Sequence, residues 1–247
     1  MGDWRKFYTK TAVQRDRSKE FGPVKVIGKN GFMQLVREVQ KRLENGMRII
    51  DIGCGTGHVL MDIYRTTDKK VKLFGIDNSS GMIKAAKQKS KGIKDFSFIL
   101  MNAFKTKFKN NTFDIAINRL GAPPKSYKET YRILKNNGLF FLFVTDKGDW
   151  REVRKTFGFK KYFSLKEQIR MLKEADFKII KIHKFSSTEY YRNIGDFAKM
   201  LEIIPFSPPF NRRKHDKKLK EYERKYKTGW GIKSSQKRLL IVGKVVK

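Results

Sequence analysis

The run Ile49-Ile50-Asp51-Ile52-Gly53-Cys54-Gly55-Thr56-Gly57 constrains this chain most. A short β-branched apolar stretch ends in three glycines spaced by single residues, and the residues that follow have helical spacing. This is a buried strand turning sharply into a helix. Glycine lets the backbone enter left-handed conformations and lets a ligand approach where a Cβ would collide, and the helix start leaves free N–H groups there. A dinucleotide-binding G-x-G-x-x-G turn begins the same way, so the glycines alone do not decide the ligand. The next apolar run ends Phe74-Gly75-Ile76-Asp77-Asn78-Ser79-Ser80. Asp77 at the tip of the neighbouring strand is placed to accept both hydroxyls of a ribose, so the glycine turn and Asp77 describe one nucleoside pocket.

From Met47 onward the patterning alternates strand and helix. It predicts strands at 48–52, 71–76, 96–101, 113–118 and 139–145, with helices at 57–64, 80–89 and 125–134 between them. An earlier helix is expected at 32–43. A helix at 165–174 and a strand at 178–183 continue the rhythm, and a last strand at 237–246 closes it. This is an α/β pattern with a mostly parallel sheet covered on both faces. The length suits one domain over 1–247, with a lead-in at 1–45 and an insertion or lid at 186–235 before the final strand. The insertion holds a helical stretch near 193–203, the loop Ile204-Pro205-Phe206-Ser207-Pro208-Pro209-Phe210 and a basic helical run at 212–227.

On these residues the chain resembles the class I S-adenosylmethionine-dependent methyltransferases of the type-11-like domain. Asp51 to Gly57 and Phe74 to Ser80 match that family's first two motifs. Met101-Asn102-Ala103, Thr112 to Asn118 and Glu129 to Phe143 match its later ones. The resemblance implies a Rossmann-like, seven-stranded, mostly parallel sheet with the last strand antiparallel, in three α/β/α layers. It implies S-adenosyl-L-methionine as cofactor. Gly53, Gly55 and Gly57 would pass its methionine and ribose parts, and Asp77 would bind the ribose with Asn78 beside it. Met82 would pack on the adenine, Asn102 and Ala103 would edge it, and Asp51 and Asn118 would lie near the methionine end. No dedicated catalytic base is required, because the sulfonium is already electrophilic and the protein chiefly aligns the acceptor. The Asn-or-Asp-Pro-Pro-aromatic tetrapeptide of amino-base methyltransferases is missing after the fourth strand, where Asn118-Arg119-Leu120-Gly121-Ala122-Pro123-Pro124 stands instead.

Composition bears on the acceptor. With 57 Lys and Arg against 24 Asp and Glu, the net charge of +33 destabilises a compact chain unless a polyanion shares the surface. It is densest beyond residue 211. The expected partner is therefore RNA, methylated on a base, with the 211–227 stretch and Lys84, Lys87, Lys89, Lys91 and Lys94 on phosphates. Arg119, Tyr190, Tyr191 and Phe206, with Trp230, are the candidates to hold an unstacked base in the substrate pocket. The alternative is a small-molecule methyltransferase using the 186–235 insertion as a lid. A third reading is a binding module that keeps the cofactor pocket without turnover. The single cysteine, the absence of an apolar leader and the lack of any run of about 20 apolar residues point to a cytoplasmic protein with no membrane partner. The three histidines have no metal-ligand spacing, so no metal is expected. Cys54 is expected to pack rather than react.

Overall fold

The computed structural model describes residues 7–9, 11, 18–29, 31–160 and 162–247. Nine strands form one sheet: β1 (Lys25–Gly28), β2 (Arg48–Ile52), β3 (Lys72–Asp77), β4 (Phe96–Leu100), β5 (Phe113–Arg119), β6 (Leu134–Thr145), β7 (Lys178–Tyr191), β8 (Lys227–Thr228) and β9 (Gly231–Lys244). Flanking them are α1 (Phe32–Gln40), α2 (His58–Thr66), α3 (Ser80–Lys89), α4 (Tyr127–Ile133), α5 (Arg151–Phe157), α6 (Leu165–Lys173), α7 (Ile194–Ile203) and α8 (Asp216–Tyr226). The sheet order is β1-β7-β9-β6-β5-β2-β3-β4, with β8 on β9. β4, β3, β2, β5 and β6 run parallel, and β9 enters antiparallel between β6 and β7.

The parallel strands are covered on both faces, which is why they read as apolar runs rather than alternating ones. Ile49, Ile115, Ile117, Phe141 and Phe143 point to one face, where Leu35, Val36 and Val39 of α1 meet Val59, Leu60 and Ile63 of α2. Ile50, Ile52, Ala116, Phe140 and Leu142 point to the other, against Tyr127, Ile133 and Leu172. A third cluster lies beyond the sheet's end and is mostly aromatic: Trp150, Phe157, Phe159, Tyr191, Phe197, Phe206, Phe210 and Tyr222. The Rossmann-like α/β expectation holds in this arrangement.

Strand number departs from the expected seven because the lead-in contributes β1 and the end of the insertion contributes β8. β1 zips onto β7, Lys25 opposite Tyr190 and Gly28 opposite Ser187. Of the lead-in expected at 1–45, residues 1–6, 10, 12–17 and 30 lie outside the described residues. The larger departure is the β7–β9 hairpin. Both strands are 14 residues long and stay paired from Lys178–Lys244 out to Tyr191–Ile232. The small polar residues Ser186-Ser187-Thr188 and Ser234-Ser235-Gln236 read as loop, yet they simply alternate across an extended antiparallel pair. The chain between the two strands is therefore 192–230, carrying α7, α8 and the short β8, where 186–235 was expected. Two further differences are local. The helix expected to reach 134 stops at Ile133, because Leu134 already pairs with Phe113 and Lys135 reaches Asp114 at 2.7 Å. Helix α5, which carried no clear start signal, begins after Trp150 in a left-handed conformation (φ 50°). Among the described residues no helix is long and apolar enough to cross a membrane.

Candidate functional site

The site is built at the carboxyl ends of β2, β3, β5 and β6, the edge where open α/β sheets bind ligands. At the end of β2 the backbone N–H groups of Gly53 and Cys54 both donate to the Ile76 carbonyl, at 2.8 and 2.9 Å, which clasps the turn to β3. Gly53 has φ 76°, and a Cβ there would stand 2.8 Å from the Ala122 nitrogen and 2.9 Å from Gly121 Cα. Gly121 meets the Ile52 and Gly53 carbonyls equally closely. The turn after β2 and the loop after β5 thus pack backbone on backbone. Gly121 was not among the residues singled out from sequence, and its position three residues past Asn118 gave no signal of this contact.

Gly55 is different: φ is 53°, and the nearest atom to an added Cβ is Met82 Sδ at 4.0 Å. Its missing side chain therefore opens onto space. Its N–H donates to Asp77 Oδ2 at 3.0 Å, while Asp77 Oδ1 accepts from the Ser79 N–H at 2.9 Å. Ser79 in turn caps α3, accepting from the Met82 N–H at 3.3 Å. Asp77 is therefore oriented by the two chain segments flanking it. Gly57 packs over the Phe98 ring, Met82 is buried, and Asn78 is exposed at the rim. Asn102 Oδ1 accepts from the Phe104 N–H at 2.9 Å, fixing the turn that presents Ala103. That loop is held from below by Glu129, which accepts from the Thr106 N–H and hydroxyl and from Arg132, each at 2.6 Å. Glu129 and Arg132 of the sequence pattern thus act as a loop anchor.

Asp51 is 1% exposed and its Oδ1 has no hydrogen-bond partner. Burial pushes its carboxyl up to about 7; the nearby Arg119 opposes this and Asp77 adds to it. Cys54 is buried beside both carboxylates, its thiol pushed well up by burial first and then by Asp51 and Asp77, as an inert packing residue requires. Asn118, fully buried, spends its amide on the turn: Nδ2 donates to the Ala122 carbonyl at 2.8 Å and Oδ1 accepts from the Gly121 N–H at 3.1 Å. Its place is beneath the loop, holding Gly121 against Gly53.

The base-holding aromatics are placed elsewhere. Tyr191 and Phe206, each 1% exposed, sit inside the third cluster, Phe206 stacked on Phe159 at 4.3 Å and Tyr191 donating to Glu189 at 2.8 Å. Phe210 packs in the same cluster. They form the interior of the helical layer carried by the hairpin and present no face to a ligand. Tyr190 is buried under the edge of Trp230, whose ring is exposed and carries Lys25 Nζ 3.3 Å above it. Of these candidates only Arg119 lies at the carboxyl edge of the parallel strands, at the end of β5.

What sequence reasoning missed is a polar row. Asp51 pairs with Ile117, and Arg119, two residues on, shares that face. Across β6, Thr145 pairs with Arg238, and then Phe185 with Arg238 and Ser187 with Gln236. Arg238 ion-pairs with the fully buried Asp149, and its Nη2 donates to Gln236 at 2.6 Å. Gln236 donates to Glu189 at 3.0 Å. One face of the sheet edge therefore carries Asp51, Arg119, Thr145, Arg238, Gln236 and Ser187 in sequence. The signal was the period-two alternation Ser234, Gln236, Arg238, hidden because the strand was expected to begin at 237.

The chain matches the family model described as "Methyltransferase domain" over residues 43–181. It is 28% identical over 208 residues to an uncharacterized protein of Methanocaldococcus jannaschii, covering 81% of this chain and 73% of that one. It is 30% identical over 175 residues to a demethylmenaquinone methyltransferase of Symbiobacterium thermophilum, covering 68% of this chain and 66% of the relative. Among solved structures, the YcgJ protein from Bacillus subtilis superposes with a TM-score of 0.66 at 20% identity, over 87% of this chain and 99% of that one.

Proposed function

From the premise that the chain belongs to the methyltransferase domain family and is an S-adenosylmethionine-dependent methyltransferase, we propose that its acceptor is a small molecule bound along the polar row, under the helical layer that the β7–β9 hairpin carries. One observation supports this reading above the others. Of the aromatics expected to hold a base, Tyr190, Tyr191 and Phe206 are packed away from solvent and the exposed Trp230 carries Lys25 over its ring, while a row of buried and half-buried polar groups extends from Asp51 toward the hairpin. The relative named for demethylmenaquinone points the same way. The exposed lysines of α3 and α8 and the net charge of +33 are then a solvated surface.

The residues present fit the cofactor. The opening at Gly55, the oriented carboxylate of Asp77 and the unpartnered Oδ1 of Asp51 are a cradle, a ribose acceptor and a counter-charge in one groove. Bound there, S-adenosylmethionine supplies an electrophilic methyl group on a sulfonium. The chain's own contribution is placement. Asp77 accepts the ribose hydroxyls while staying tied to Gly55 and Ser79. Asn102 and Ala103 border the adenine, and Asp51 faces the cationic end.

Asp51 makes the cofactor's affinity depend on pH. A carboxyl raised from 3.8 to about 7 by burial, with Arg119 opposing and Asp77 assisting, is mostly neutral in the free protein at pH 6 and mostly ionised at pH 8. A cationic ligand end prefers the ionised form. Affinity is therefore expected to rise roughly tenfold between pH 6 and pH 8, following the ionised fraction. Titration calorimetry across that window checks it, and Asp51→Asn should flatten the dependence.

The substrate class is tested with labelled methyl from S-adenosylmethionine, offered in parallel to a protein-free metabolite extract and to unmodified cellular RNA. Label in the small-molecule fraction alone is expected. Label in RNA that survives removal of free metabolites would overturn the small-molecule reading and restore the charged surface as a nucleic-acid footprint.

A further inference from the structure

Arg119 ends β5 beside the cofactor edge, and its guanidinium donates no hydrogen bond to any described residue; its Nε is sealed from solvent. The ring of Phe32 lies 4.3 Å from the guanidinium carbon and covers one face of the group. Its Nε is thus a sealed donor with no acceptor, on a half-buried side chain whose other donors also go unused among the described residues; a sealed donor is a condition native interiors rarely leave without a ligand or water to satisfy it. The carboxylates that act on Arg119 are Asp51 and Asp62. Asp51 is the acid that burial holds near half-protonation at neutral pH, so it offsets the cation only in part.

Arg238 lies on the same face, separated from Arg119 by strand β6. Two strand spacings put the two backbones roughly 10 Å apart sideways, within reach of two arginine side chains converging on one group. Burial first, and then the charge of Arg119, bring the Arg238 guanidinium down to about 9. Asp149 pairs with Arg238, but it also accepts from the Lys237 N–H at 2.7 Å. Glu189 spends its Oε2 on the Tyr191 hydroxyl and the Gln236 amide, at 2.8 and 3.0 Å. Arg238 thus has Asp149 and Gln236 as partners, whereas Arg119 has neither a hydrogen bond nor an ion pair among the described residues.

Resting on the reading of this row as the acceptor site, we propose that Arg119 and Arg238 receive an anionic group of the methyl acceptor, so that the substrate is a small molecule bearing a carboxylate or phosphate. Arg119 supplies the unused donors, in a planar fork suited to two oxygens. Arg238, held in place by Asp149 and Gln236, supplies the second charge. The anion is the handle of the substrate, and its position on the β5–β9 side leaves the Asp51 side for the methyl group.

The test uses matched probes that differ in charge and hardly in shape. Benzoate against benzamide, and hexanoate against hexanamide, are titrated calorimetrically into the protein saturated with S-adenosylhomocysteine. Charge-assisted hydrogen bonds to two guanidiniums are expected to favour each carboxylate at least about tenfold over its amide. Arg119→Gln, first shown to bind S-adenosylhomocysteine and so to be folded, should erase most of that preference, and Arg119→Lys should keep part of it. Carboxylates that bind no better than amides to the wild-type protein overturn the proposal whether or not the variants fold, and so does a preference that Arg119→Gln leaves intact. Failure of the wild-type protein to bind S-adenosylhomocysteine is a separate result, which strikes the cofactor pocket itself.

Discussion

Replacing Asp77 by alanine is expected to weaken S-adenosylmethionine binding by at least two to three orders of magnitude while leaving the protein folded. The carboxylate does two things at once. It is the acceptor placed for both ribose hydroxyls, and hydrogen bonds to a charged acceptor contribute about 1.5–3 kcal/mol each when the partner has nowhere else to go. It also ties the Gly55 N–H at 3.0 Å and the Ser79 N–H at 2.9 Å, holding the glycine turn against the start of α3. The alanine variant loses the ribose contacts and loosens the turn that shapes the rest of the groove. Asp77 is partly exposed, so its removal opens no core cavity. Calorimetry gives the affinity and thermal unfolding the control. Undiminished binding in a folded Asp77→Ala protein means that the cofactor lies elsewhere.

Phe206→Ala is expected to do the reverse, costing stability and sparing the cofactor. Phe206 is 1% exposed, stacked on Phe159 at 4.3 Å and edge-on to Trp150 at 5.8 Å, in the cluster that joins α5, α7 and α8 to the hairpin. Truncating a buried phenylalanine costs about 3–5 kcal/mol where the cavity cannot collapse, and a core of stacked rings is poorly able to collapse. Chemical denaturation should report a loss of that size, with S-adenosylmethionine affinity changed less than about threefold because the glycine groove belongs to a different cluster. Were Phe206 instead a ligand-stacking residue, its replacement would leave stability nearly intact and abolish methyl transfer.

Much of the glycine-turn edge of the sheet was legible in the sequence because its contacts are local. Gly53, Gly55 and Gly57 lie on one turn, Asp77 ends the next strand, and the central strands β2 and β5 carry apolar runs that fit a sheet covered on both faces. Contacts made by distant pieces of chain were not legible. Gly121 is required by Gly53, 68 residues earlier in sequence, and nothing beside it says so. Asn118 looked like a ligand residue and proves to be spent on its own turn. Tyr191 and Phe206 looked like stacking platforms because an aromatic residue in a polar insertion invites that reading. A second core, assembled from 150–159, 197–210 and 219–232, absorbs them. Arg238 was hidden by the serines before it, which lengthen β9 without lending it any apolar signal. In each case the missing information was the register between strands or the presence of a separate cluster, and both are set by tertiary packing.

The most direct measurement is a crystal structure of the protein with S-adenosylhomocysteine. The ribose is expected on Asp77, the adenine between Met82 and the Asn102–Ala103 turn, and the sulfur directed past Asp51 toward Arg119 and the polar row. A nucleoside seated at the glycine turn with its sulfur directed toward open solvent beside α3, away from Arg119, would contradict the placement of the acceptor site. A ligand bound away from Gly55 and Asp77 would contradict the cofactor groove as well.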